Sequence, residues 1–136
     1  MDMIHKLDIK TQSRVEFQEI TDRVRELVRE SGIKSGVCHV YVPHTTAGVT
    51  INEHADPTVV EDIAAQLEVI APQHNKYRHA EGNSAAHIKA SLMGSTVTIF
   101  IEGGEPALGT WQGIFFAESD GPRNRSVLVK ITEDGT

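Results

Sequence analysis

Short segments in which apolar and polar residues alternate recur along the chain, and this period of two predicts β-strands. The predicted strands occupy residues 3–10, 36–42, 44–53, 95–101, 108–118 and 126–132. Helices are predicted at residues 16–31, from Pro57 as far as Pro72, and in a short segment that begins at Asn83 or Ser84. The order β-α-β-β-α-α-β-β-β indicates an α+β fold with largely antiparallel sheet and a few packed helices.

Residues with known capping preferences mark the ends of the predicted helices. Gly32 and Gly94 stand where left-handed residues would end the first and third helices. Asp56 is predicted as the N-cap of the second helix, with Pro57 in its first turn. The polar segment 72–83 is longer than a simple connection needs, and such loops often carry function.

Length and composition restrict the class of protein. The 136 residues suit one domain, spanning residues 1–136, and the net charge of −6 argues against nucleic-acid binding. No apolar run approaches the roughly 20 residues of a membrane span. Without a hydrophobic signal segment at the N-terminus, we expect a cytoplasmic protein that binds no membrane. The single cysteine, Cys38, excludes an internal disulfide.

Residues 79–94, HAEGNSAAHIKASLMG, place two imidazoles beside a helix start. The free N–H groups and positive dipole end of such a start suit a phosphate, next to Asn83 and Ser84. His79 and His87 flank the start and could hold a divalent metal at the same place.

A third histidine, His44, follows Pro43 and precedes two hydroxyl residues, Thr45 and Thr46. Three histidines with an open fourth position are a usual arrangement for catalytic zinc, although other divalent metals also accept imidazole. The alternative is that each histidine only makes a structural hydrogen bond.

Carboxylates, amides and arginines complete the set of candidate site residues. Glu53 and Glu81 are candidates for a general base or for a partner that orients a histidine. Asn83 could bond a substrate or only cap its helix, and Asn52 lies beside Glu53. Two further candidates, which could clamp a phosphate or pair with acidic neighbours, are Arg123 and Arg125.

Taken together, these motifs resemble the YjbQ family, small proteins known as secondary thiamine-phosphate synthases. The matching motifs are PHTTAG with TINE downstream (43–53), ADP (55–57), HAEGNSAAHIKASLMG (79–94), LGTWQGIFFAE (108–118) and DGPRNR (120–125). They cover nearly the whole chain in the order of the family.

The resemblance implies stacked, largely antiparallel sheets, a homotrimer and a polar site near subunit boundaries. It implies a divalent metal on His44, His79 and His87, with zinc expected and magnesium as the alternative for the synthase reaction. The other polar positions that match the family are Thr45, Thr46, Asn52, Glu53, Asp56, Asn83 and Arg125.

The implied activity is a transferase reaction on small phosphorylated substrates. A pyrimidine pyrophosphate would be joined to a thiazole phosphate, which releases pyrophosphate and forms thiamine phosphate, as a main or a secondary activity. Two alternatives stay open. One is a metal-dependent hydrolase in which Glu53 or Glu81 activates a metal-bound water, and the other is a non-enzymatic trimeric protein that binds a metal or ligand.

Overall fold

The computed structural model describes residues 3–135, so Met1, Asp2 and Thr136 of the predicted domain lie outside the described residues. The strands are β1 (Ile4–Lys10), β2 (Glu16–Glu19), β3 (Ser35–Tyr41), β4 (Ala47–Glu53), β5 (Thr96–Glu102), β6 (Glu105–Pro106), β7 (Gln112–Glu118) and β8 (Asn124–Glu133). The helices are α1 (Thr21–Ser31), α2 (Pro57–Ile70) and α3 (Ser84–Met93).

Two antiparallel sheets form the core of the α+β fold, as the pattern predicts. One sheet has the order β1-β8-β3-β5-β6, and the other has the order β2-β7-β4. Inward-facing apolar residues of both sheets join one buried cluster with the inner face of α1. Examples from the two sheets and the helix are Val40, Val129, Val49, Phe116 and Val24, all fully buried. Among the described helices, none is both long and apolar enough to cross a membrane.

The first predicted helix begins too early. Residues 16–19 form β2, which pairs with the edge of β7 in the register Phe17↔Ala117. The helix begins only after the buried Ile20, whose backbone N–H donates to the carbonyl of Ile114 at 2.8 Å. The spacing of apolar residues in this segment is compatible with both a helix and a strand. Hydrogen bonding to the edge of β7, which would otherwise be unpaired, favours the strand.

Other boundaries also differ from the prediction. The segment between the strands predicted at 95–101 and 108–118 contains β6, which pairs with the end of β5 through Glu102↔Glu105. The strand expected at 108–118 begins only at Gln112, because the Gln112 side chain accepts a 2.8 Å hydrogen bond from Gly109 N–H and closes a turn. Trp111 in that turn is 64% exposed.

Helix α3 is held against the rest of the fold on two sides. Lys89 on its inner face is only 1% exposed, and its ammonium donates to Oε1 of Glu68 in α2. Arg14 donates to the same oxygen at 3.1 Å. At the end of the helix, the Gly94 carbonyl accepts a 3.1 Å hydrogen bond from Val49 N–H in β4. These contacts fix the start of α3, where the candidate site lies.

The close approach of β4 to α3 generates a prediction for Gly48. A Cβ at this residue would lie 2.6 Å from the Gly94 carbonyl oxygen and 2.9 Å from Met93 Cβ. Gly48→Ala should therefore lower the free energy of unfolding by about 1–3 kcal/mol, measured by urea denaturation. Gly135→Ala is the control, because its Cβ would meet nothing within 4 Å. Equal stability of the two variants would contradict the packing described.

Candidate functional site

A polar cleft of about 730 Å³ lies where β3 ends, α3 begins and the loop between β7 and β8 returns to the sheet. Most of the candidate site residues border it. They are His44, Thr45, Thr46, His79, Glu81, Asn83, His87, Arg123 and Arg125. Three segments that are distant in the sequence thus meet at one place, as the motifs predict.

The floor of the cleft contains a buried ion pair between Arg125 and Glu118. Arg125 is 7% exposed and Glu118 is fully buried. Arg125 Nε donates to Glu118 Oε1 at 2.8 Å, and Nη2 donates to Oε2 of the same carboxylate and to Thr46 Oγ1 at 2.8 Å. This side-on pairing uses Nε and Nη2, so the Nη1 N–H groups are the donors that the guanidinium has left for a ligand.

Glu118 stays ionised because its oxygens accept further hydrogen bonds. The Thr11 hydroxyl donates to Oε1 at 2.8 Å, and the backbone N–H groups of Ser119 and Asp120 each donate to Oε2 at 3.1 Å. Burial raises the pKa of Glu118, but the hydrogen bonds from Arg125, Asp120 and Thr11 outweigh burial, so the pKa lies below its usual value.

Asp120 ties the loop after β7 to the start of α3. Its Oδ2 accepts hydrogen bonds from Asn83 Nδ2 at 2.9 Å and from Arg123 Nη2 at 3.1 Å. Asn83 is the N-cap residue of α3, but its side chain makes no capping hydrogen bond, so the predicted capping role is replaced by this contact. Asn83 Oδ1 is buried without a partner among the described residues, and it lacks a donor or a metal.

The rings of His79 and His87 lie close together at the cleft. Their ring centroids are 5.4 Å apart with an interplanar angle of 89°. Two imidazoles on one tetrahedral zinc, with bonds of about 2.0–2.1 Å, would have centroids about 5 Å apart, a distance close to the one observed. Glu81 Oε2 lies 3.9 Å from His79 Nε2. Within residues 3–135, no group of three or more His, Cys, Asp and Glu is close enough to hold a metal.

His44 lies in the same cleft but does not join that pair. Its Nε2 accepts a 2.9 Å hydrogen bond from the backbone N–H of Ser126. Burial, and then the positive charge of Arg125, lower the pKa of His44, which favours the neutral ring. His44 therefore makes at least one structural hydrogen bond, which is the alternative to metal binding that the sequence left open.

Three candidate residues lie outside the cleft. Asn52 and Glu53 are at the far end of β4, on the order of 20 Å along the strand from Thr46, where they border a separate hollow beside Trp111. Glu53 Oε2 accepts a 2.9 Å hydrogen bond from Ala55 N–H, a structural role that the sequence did not reveal. Ser84 borders a shallow groove on the other side of His87.

This placement corrects the expectation for the two glutamates. Glu53 cannot reach a ligand in the cleft of its own chain, because the length of β4 separates them. Glu81 is left as the glutamate that lines the cleft, beside His79. Asp56 has the predicted structural role, because its Oδ1 accepts a 3.0 Å hydrogen bond from Thr58 N–H at the start of α2.

The sequence analysis missed Glu118 and Asp120. Glu118 ends the apolar run GIFFA, and a charged residue at the end of a buried strand was the available signal. Asp120 stands in the motif DGPRNR, in which only the two arginines were singled out as candidates. Their partners are set by tertiary structure, since Glu118 bonds Thr11 across 107 positions of the chain.

Comparison with known proteins finds a group of relatives that match nearly the whole chain. A family model described as UPF0047 protein YjbQ-like matches residues 5–134. UPF0047 protein MJ1081 of Methanocaldococcus jannaschii is 53% identical over 132 residues, which cover 97% of this chain and 96% of the relative. UPF0047 protein YugU of Bacillus subtilis is 47% identical over 130 residues, which cover 95% of this chain and 98% of the relative.

Solved structures agree with the sequence relatives. A YjbQ/UPF0047 family protein of Clostridium acetobutylicum matches with a TM-score of 0.93 and 53% identity, over 94% of this chain and 99% of its own. A YbjQ-like protein of unknown function from Sulfolobus solfataricus matches with a TM-score of 0.94 and 32% identity, over 98% of this chain and 99% of its own.

The buried ion pair generates a prediction about stability and pH. Glu118→Gln removes the charge that compensates Arg125, so the free energy of unfolding at pH 7 should fall by about 3 kcal/mol. The pKa of Glu118 is lowered in the folded protein, so its stabilisation is present above the unfolded pKa of about 4.3 and is lost as the pH falls below it. Urea denaturation at fixed protein concentration, between about pH 7 and pH 3, should give a smaller acid-induced loss for Glu118→Gln than for the wild type.

The control is Glu105→Gln, which breaks the exposed pair with Arg29 and should cost less than about 1 kcal/mol. If Glu118→Gln is no more destabilising than this control, or shows the acid sensitivity of the wild type, the role assigned to the buried pair is wrong.

Proposed function

The chain belongs to the YjbQ-like UPF0047 family, and on that premise we propose that it is a transferase of the secondary thiamine-phosphate synthase type. In this proposal it joins a pyrimidine pyrophosphate to a thiazole phosphate and releases pyrophosphate. The observation that carries the proposal is the convergence of two arginines and three histidines on one polar cleft, in a chain whose net charge is −6. A single cleft with two guanidinium groups in an acidic protein suits phosphorylated small molecules better than nucleic acid.

The reaction needs stabilisation of a leaving group more than it needs a nucleophilic side chain. The bond between the pyrimidine methylene carbon and the pyrophosphate oxygen breaks, and the electron pair leaves on the pyrophosphate while the thiazole nitrogen bonds the carbon. Arg125, which is held rigidly by Glu118, and Arg123 donate to the departing pyrophosphate. In this proposal the thiazole phosphate lies near the start of α3, where the positive end of the helix dipole favours an anion.

A divalent metal, with zinc expected and magnesium as the alternative, would neutralise charge on the pyrophosphate when bound. His79 and His87 are the residues that would hold it, because their rings have the separation that a shared ion requires. Glu81 Oε2 lies 3.9 Å from His79 Nε2, beyond hydrogen-bond range, so Glu81 would have to move closer to orient that ring.

The assembly in the proposal is a cytoplasmic homotrimer. Apolar side chains on the outer faces of α2 and α3 support association, because Val69, Ile70, Ile88 and Leu92 are exposed in the single chain. Other copies of this chain are the partners that would cover them. Asn52 and Glu53, which lie far from the cleft of their own chain, would then be free to contact a neighbouring subunit.

A second candidate function is hydrolysis of a phosphorylated small molecule. It is favoured by Glu81, the carboxylate beside His79 that could accept a proton from an attacking water. The two functions differ in their need for a second substrate, since hydrolysis of the pyrimidine pyrophosphate proceeds without the thiazole phosphate. A non-enzymatic trimeric metal- or ligand-binding protein would give no turnover with either substrate combination.

The activity prediction concerns Arg125. With both substrates, the wild type should release pyrophosphate and form thiamine phosphate, and Arg125→Lys should lower kcat by about 100-fold or more because it loses the fixed guanidinium donors. Chromatographic product analysis measures both quantities. The control is Arg29→Lys at an exposed pair, which should retain full activity. Pyrophosphate or phosphate release that is independent of the thiazole phosphate would overturn the transferase proposal.

The metal prediction concerns His79 and His87. Replacing either by alanine should remove most bound metal and leave the fold intact, because both side chains lie outside the core cluster. Elemental analysis of untagged protein, beside circular dichroism, measures both properties. His54→Ala is the control, since His54 pairs with Glu19 away from the cleft. Metal that is unchanged in both variants would show that this pair does not hold it.

A further inference from the structure

Strand β8 extends beyond the end of its partner β3. This difference in length determines which hydrogen bond His44 makes. The last residue of β3, Tyr41, pairs with Leu128, whereas β8 begins four residues earlier at Asn124. The β8 backbone before Leu128 therefore has no strand partner on its β3 side. Ser126 N–H would be unsatisfied there, and Nε2 of His44 accepts its hydrogen bond at 2.9 Å.

A backbone amide can only donate, so this contact fixes the proton of the neutral His44 ring. Nε2 must present its lone pair to Ser126, and the single proton is then on Nδ1. A metal needs a free nitrogen lone pair, and the one lone pair of this ring is already used. His44 thus differs from His79 and His87, for which the described residues show no hydrogen bond that occupies a ring nitrogen.

We infer that His44 is a hydrogen-bond donor, through Nδ1–H, to a phosphoryl oxygen of the ligand, and that it is not a ligand of the metal. This inference rests on the proposed function for the identity of the ligand class. The expected metal centre would then have two histidine ligands, His79 and His87, instead of three. His44 would belong to a neighbouring surface that binds the anion.

The neighbours of His44 have the same donor character. Arg125 is more than nine-tenths buried, and its Nη1 carries N–H groups that Glu118 does not use. Thr46 Oγ1 accepts from Arg125 Nη2, so its own proton is available to another acceptor. All three side chains border the cleft. Their donors suit the oxygens of a phosphate or pyrophosphate.

The opposite wall presents lone pairs instead. The rings of His79 and His87 lie 5.4 Å apart, centroid to centroid, and the buried Asn83 Oδ1 has no hydrogen-bond donor among the described residues. The cleft is therefore divided into an anion wall formed by His44, Thr46 and Arg125, and a metal wall formed by His79, His87 and Asn83.

The tautomer of His44 can be observed directly by NMR. In protein labelled with ¹⁵N-histidine, two-bond ¹H–¹⁵N correlations distinguish an Nδ1–H ring from an Nε2–H ring, and the His44→Gln spectrum assigns the signal. We expect the Nδ1–H form without ligand, and a shift of His44 Nδ1 on addition of inorganic pyrophosphate. Added zinc should shift the nitrogens of His79 and His87 far more than those of His44. An Nε2–H ring, or zinc coordination by His44, would overturn the inference.

Two substitutions of His44 test the roles of its Nδ1 and Nε2 atoms separately. In His44→Gln the amide oxygen can replace Nε2 as acceptor for Ser126 while the Nδ1 donor is lost, so the Kd for inorganic pyrophosphate should rise by about tenfold or more. In His44→Asn the amide nitrogen lies near the position of Nδ1, and part of this affinity should return. Both variants should keep the wild-type zinc content. Loss of zinc in His44→Gln, to the level of His87→Ala, would contradict the assignment.

Failure of the inference and failure of the proposed function give different results. If no product forms but the Nδ1–H tautomer and pyrophosphate binding are found, the transferase proposal fails and the role of His44 stands. If His44→Gln does not fold, the His44→Asn spectrum assigns the His44 signal, and the NMR measurement on the wild type decides the question.

Discussion

The buried guanidinium of Arg125 is the constraint on which the rest of the site depends. A charge in this position requires a compensating charge and full hydrogen bonding, and Glu118 supplies both. The carboxylate is the last residue of β7, and its other donors come from the segment after β1 and from the loop that follows β7. One ion pair therefore fixes the ends of several strands, and it orients the remaining donors of Arg125 for a ligand. The same ion pair therefore contributes to the stability of the fold and to the binding of an anion.

The second requirement is a fixed helix start opposite Arg125. Lys89 and Glu68 bind α3 to α2, and the glycine at position 48 lets the end of α3 approach β4 closely. Asp120 then joins Asn83 at the start of α3 to Arg123 in the loop after β7. Both walls of the cleft are thus set by buried or partly buried polar contacts, which hold two guanidinium groups at one cleft of an acidic chain.

Much of this arrangement could be predicted from the sequence, where local signals are strong. Alternating apolar residues gave most strands, and Asp56 with Pro57 gave the start of α2. The strands β2 and β6 could not be predicted, because each is short and exists through pairing with a sheet edge. Glu53 appeared available in the sequence, yet the length of β4 separates it from the cleft. The hydrogen bond at His44 depends on the register of β8 against β3, which no local pattern encodes.

The central claim is that this cleft binds a phosphoryl group on one wall and a divalent metal on the other. The most direct test is a crystal structure of the protein with zinc and inorganic pyrophosphate, with zinc located by its anomalous scattering. We expect zinc about 2.0–2.1 Å from a ring nitrogen of both His79 and His87, and pyrophosphate oxygens that accept from His44 Nδ1 and Arg125 Nη1. Zinc bonded to His44, or pyrophosphate bound away from Arg125, would contradict the account.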